Sequence, residues 1–132
     1  MRLSCLSICL TLAVVPAAYA YDCADQTQPG LDGCADAAYK KADGALNGAY
    51  KTILKRLKDD GAKTKLLVTA QKAWLSFRDA ECAFSSSANA GGSIYPMAVS
   101  NCLEAVTKER TKALGAYLKC GEGDTGCPAP GE

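Results

Sequence analysis

Histidine is missing from all 132 residues. That absence removes the side chain most often used as a general base or metal ligand near neutral pH. No C-x-x-C pair occurs either, so both usual halves of a zinc site are lacking, and neither a metal nor a cofactor is expected. The serines stand in no strand–turn–helix nucleophile setting, and Gly91-Gly92-Ser93 has none of the G-x-S-x-G elbow. Phosphate-loop and dinucleotide fingerprints are absent. β-branched residues are few and never alternate over a useful length, so strands are not expected. A basic excess is lacking too. Without Arg2 the Lys and Arg number equals the 14 Asp and Glu, which argues against nucleic acid and against an anionic membrane surface. Acidic pairs remain available, but helical stripes this rich in alanine offer no evident cleft for a sugar chain. An enzyme is therefore not expected.

What is present begins with a leader. Met1-Arg2 gives a positive start, residues 3–15 an uncharged apolar run, and Ala18-Tyr19-Ala20 small residues where a signal peptidase reads. The run is too short to span a membrane. Residues 1–20 are thus expected to be a cleaved signal peptide, leaving a periplasmic or secreted domain over residues 21–120 and an irregular Gly/Pro-rich tail over residues 121–132. Cys5 and Cys9 lack the context of a lipid-anchor cysteine, so no membrane anchor is expected.

Six cysteines remain beyond the leader: Cys23, Cys34, Cys82, Cys102, Cys120 and Cys127. An even number in a small exported domain argues for disulfides. Six permit fifteen pairings, so connectivity is open. Pairing of sequence neighbours is the expected arrangement, because Cys82–Cys102 would tie two helix ends, Cys23–Cys34 the lead-in, and Cys120–Cys127 the tail.

Helical periodicity fills the rest. Apolar residues recur at spacings of three and four from Leu31 to Leu57, and Asp59-Asp60-Gly61 then breaks the pattern. A second helix is expected over residues 63–84, with Leu66, Leu67, Ala70, Ala73, Trp74, Phe77, Ala80, Glu81 and Phe84 along its inner face and rim. A third should start at Pro96 or Met97. Short connections make an all-α, antiparallel three-helix bundle stapled by disulfides the simplest architecture.

Two sets of residues stand out. Asp43, Asn47, Gln71, Arg78 and Arg110 are polar positions within or beside apolar stripes, and a mutually satisfying structural network is the favoured reading, a ligand-contacting patch the other. Residues 85–96 form a loop by composition. Ser85, Ser86, Ser87, Asn89, Gly91, Gly92 and Ser93 offer adaptable hydrogen bonding, with Ile94 and Tyr95 as an apolar anchor. A solvated spacer is the bland reading and a partner-binding loop the functional one.

The runs LNGAY (residues 46–50), QKAWLSFRDAEC (71–82) and GGSIYPM (91–97), followed by Cys102, Leu103, Thr107, Arg110 and Leu114, resemble the LprI-type lysozyme-inhibitor domain. The resemblance covers nearly the whole chain beyond the leader and implies an exported bacterial helical domain whose partner is a lysozyme or related peptidoglycan hydrolase. An immunity or envelope protein neutralising a different toxin, or a purely structural exported protein, would use the same scaffold. Cys120 and Cys127 lie beyond the motif. Oligomeric state is not readable from these residues.

Overall fold

The computed structural model describes residues 23–131; the leader expected over residues 1–20 lies outside them. Three helices follow in order: α1 Gln28–Arg56, α2 Gly61–Ser85 and α3 Tyr95–Lys119. No strand occurs among the described residues.

Each boundary has a local cause. Thr27 caps α1 by accepting from the Gly30 N–H at 3.4 Å, and Pro29 sits in the first turn, where its missing N–H costs nothing. The helix therefore starts three residues before the expected Leu31. The lead-in folds tightly onto it: a Cβ on Gly30 would come within 2.6 Å of the Asp25 carbonyl oxygen, and Cys23 is bonded to Cys34. Lys55 and Arg56 occupy the last turn, where cations suit the carbonyl end of the helix dipole. Asp60 caps α2 by accepting from the Lys63 N–H at 2.9 Å, so Gly61 opens the second helix rather than lying in the break. The third helix opens at Tyr95, with Pro96 in its first turn.

The chain runs up, down and up. Arg56 at the end of α1 reaches Leu118 at the end of α3, while Cys82 late in α2 is bonded to Cys102 early in α3. α1 and α3 are thus parallel neighbours in intimate contact, and α2 lies antiparallel with far fewer approaches. Small residues make the close pairing possible. Ala35 and Ala42 are buried on α1, followed by Leu46 and Ile53. Leu46, Ile53, Leu57, Leu114 and Ala129 form the core, with Tyr50, Leu67, Trp74 and Leu118 packed around it.

All three disulfides join sequence neighbours: Cys23–Cys34, Cys82–Cys102 and Cys120–Cys127. The inner face expected for α2 requires correction. Leu66 is 71% exposed, Phe77 56% and Phe84 77%, and Ala70, Ala73, Ala80 and Glu81 are exposed as well. The buried positions are Gln71, Arg78 and Cys82, roughly a third of a turn away. An apolar stripe shows that a helix has an apolar side, not that a neighbour covers it.

The tail is irregular but docked. Ala129 is fully buried in the core, and the Arg56 guanidinium donates to the carbonyl oxygens of Leu118 and Ala129, each at 3.0 Å. Ala129→Glu should therefore cost more than about 3 kcal/mol, since a carboxylate there is buried without a partner. Pro130→Ser, at an exposed neighbour, should change little when both variants are unfolded in urea. The Asp60 carboxyl sits below the ordinary aspartate range because it accepts from the Lys63 backbone N–H. A depressed folded pKa stabilises above the unfolded value and stops doing so as pH falls through the folded one. Melting temperature should accordingly drop as pH is lowered below about 4, and Asp60→Asn should flatten part of that drop.

Candidate functional site

The connection between α2 and α3 is a compact chain of turns. After the helix, Ser87–Asn89 makes one 3₁₀ turn. Backbone N–H groups then donate in succession: Asn89 to Ser86, Ala90 to Ser87, Gly92 to Asn89 and Tyr95 to Gly92, at 2.9 to 3.2 Å. Gly91 adopts φ 79°, a left-handed conformation that glycine takes without a steric penalty. Directly beneath lies the Cys82–Cys102 bridge, whose Cys82 is 1% exposed. The Ser85 hydroxyl turns onto this bridge, 3.3 Å from the Cys102 sulfur.

Within this loop the residues divide. Ser87, Gly91, Gly92, Ser93 and Ile94 are exposed, while Asn89 and Tyr95 are half-buried. Ser86, read from sequence with the partner-facing set, is only 3% exposed and its carbonyl closes the 3₁₀ turn. It shapes the loop from inside. The surroundings are acidic: Asp79 and Glu81 are exposed in the last turns of α2, and residues 79–107 contain no Lys or Arg.

One turn below the bridge sits the polar network. Arg78 is 7% exposed. Its guanidinium lies 3.4 Å from Asp43 and 2.8 Å from Asp79, and also stacks near two rings, 5.5 Å from the Tyr39 centroid and 5.3 Å from that of Trp74. Asn47 donates to Asp43 at 2.8 Å. Arg110 of α3 donates to the buried Gln71 at 3.1 Å, and its guanidinium lies 5.9 Å from the Trp74 ring centroid. The five polar residues singled out in the sequence thus meet in two linked groups, with Trp74 between the cations. Tyr39 and Asp79 were not among them. Tyr39 lies one turn before Asp43, and burial raises its hydroxyl pKa.

Elsewhere the helices and tail enclose an apolar groove of about 430 Å³, lined by Leu57, Leu66, Leu67, Tyr117 and Pro128 among others. It lies at the end of the bundle away from the loop. Among the described residues no three Cys, Asp or Glu gather as a metal site would require.

The family model for the lysozyme inhibitor LprI matches residues 22–114. The chain belongs to this family. Over 56 residues it is 39% identical to an uncharacterized protein of Rhizobium meliloti (strain 1021), covering 42% of this chain and 40% of that protein. The chain therefore matches only about two fifths of that relative's length. The crystal structure of a DUF1311 family protein from Pseudomonas putida KT2440 superposes with a TM-score of 0.63 at 25% identity, over 69% of this chain and 93% of that one. Because the LprI match stops at residue 114, the Cys120–Cys127 loop and the docked tail lie outside it.

Arg78 gives the sharpest test of the network. Arg78→Met should cost about 2–3 kcal/mol, through lost charge-assisted hydrogen bonds and ring stacking. Asp43→Asn should cost under about 1 kcal/mol, because Asp43 is partly solvated and Asp79 still pairs the guanidinium. Equal losses from the two variants in chemical denaturation would contradict this division.

Proposed function

We propose that this chain is an exported protein-binding domain that inhibits a lysozyme-type peptidoglycan hydrolase by occluding its cleft with residues 85–96. The observation that carries the reading is the family match over residues 22–114. The loop supplies a physical route to it.

Lysozyme-type hydrolases hold two carboxyl groups in a cleft, one of which must stay protonated as the general acid. An inhibitor blocks such a cleft without chemistry, by filling it with a rigid projection that offers hydroxyl and amide groups. Ser87 and Ser93 provide hydroxyls at the exposed surface, glycines 91 and 92 let backbone approach closely, and Ile94, 42% exposed, provides an apolar contact. The turn hydrogen bonds and the Cys82–Cys102 bridge hold this shape before binding, which lowers the ordering cost of association. Glu81 beside the loop favours encounter with a basic enzyme surface, an effect that added salt weakens.

The test is turbidimetric lysis of peptidoglycan by a chicken-type lysozyme with the oxidised protein added in rising molar ratio. Stoichiometric loss of lysis is expected. Ser93→Lys with Tyr95→Ala should abolish it while the melting temperature holds within a few degrees, since Ser93 is exposed and Tyr95 half-buried. Undiminished inhibition by that variant would place the contact elsewhere, and lack of inhibition by the parent protein at large excess would refute lysozyme as the target.

A further inference from the structure

An exposed face of α2 has a regular composition. Leu66, Ala70, Ala73, Phe77, Ala80 and Phe84 follow one another at alternating steps of four and three, the spacing of a coiled-coil seam. All six are exposed, and the three large ones are more than half exposed. No charged residue interrupts the six. A helix that packs sparsely on its own bundle thus keeps a second apolar seam, whose first two residues, Leu66 and Ala70, also border the groove shared with α1, α3 and the tail.

The geometry points to a second copy of this chain as the occupant: two α2 helices pair antiparallel about a two-fold axis midway between Ala73 and Phe77. In that register Ala73 lies opposite Phe77 of the other copy, Ala70 opposite Ala80, and Leu66 opposite Phe84. Each phenyl ring at the centre meets an alanine, so large fills small and the backbones approach closely. A parallel pairing would set Phe77 on Phe77 and Phe84 on Phe84, leaving the alanine levels underfilled.

Charge selects the same direction. The first half of α2 carries Lys63, Lys65 and Lys72, whereas in the second half Asp79 pairs with the buried Arg78 and Glu81 is left as the exposed acid. Antiparallel pairing keeps the lysine-bearing halves of the two helices apart, whereas parallel pairing sets lysine on lysine. Size is also adequate. A helix of 25 residues is about 37 Å long and about 10 Å across, so the seam offers on the order of 400 Å² of apolar surface, at the size where a patch marks an interaction site. Two such seams with their polar flanks reach the roughly 1,200 Å² at which stable interfaces begin. Because α2 runs into the loop, the two loops of such a dimer stand at opposite ends and both stay open.

Sedimentation velocity on the full oxidised protein, from about 1 µM to several hundred micromolar, tests this. A monomer–dimer equilibrium is expected, and Phe77→Glu should raise its dissociation constant by at least about a hundredfold. An unchanged thermal melt for that variant is expected, because the ring is solvent-exposed. A protein that stays monomeric throughout, or a dimer indifferent to Phe77→Glu, overturns the proposal. So does a monomer whose Phe77→Glu variant has lost binding to a hydrolase, which would assign the seam to that partner.

Discussion

Arg78 carries a positive charge into a part of the molecule that water scarcely reaches, and the contact between α1 and α2 is organised around satisfying it. Two carboxylates and two aromatic rings surround its guanidinium. One carboxylate and one ring come from α1, so the charge ties α2 to a helix with which it otherwise makes little contact. Arg110 and Gln71 repeat the device between α3 and α2. Polar geometry is directional, unlike apolar contact. A helix held by few apolar contacts is therefore still held at one rotation.

That arrangement follows from the alanines. A core lined by Ala35 and Ala42 brings α1 and α3 close together, but each alanine buries little area. With two helices pressed together, the third cannot sink into the groove between them and lies on the outside, anchored by Trp74, the two arginines and the Cys82–Cys102 bridge. Both features proposed to face a partner descend from this position. The loop is presented at the end of a helix braced on one side only, and the opposite side of that helix remains in water.

Helix number, the break near residue 60, the loop and the pairing of neighbouring cysteines were all legible from residues, because each has a local cause: periodicity, turn chemistry or proximity along the chain. Asp43, Asn47, Gln71, Arg78 and Arg110 were legible as a set because polar side chains on apolar stripes need partners. What could not be read was which side of α2 is covered. Leu66, Phe77 and Phe84 have the spacing of a core face, and their exposure depends on how closely two other helices approach. Ser86 illustrates the same limit at smaller scale, since nothing separates it in composition from Ser87 until the turn is built. Docking of the tail was equally hidden, because Ala129 has no local signal that distinguishes a core residue from a linker alanine.

Arg56 and Ala129 are separated by 73 positions, yet the core is not closed until they meet. For a chain made from its amino end, α1 emerges long before the residue that seals its final turn. Until residue 129 follows, Ile53, Leu57 and Leu114 keep an open side. The helices can form as they appear, but the last of the packing waits for the tail.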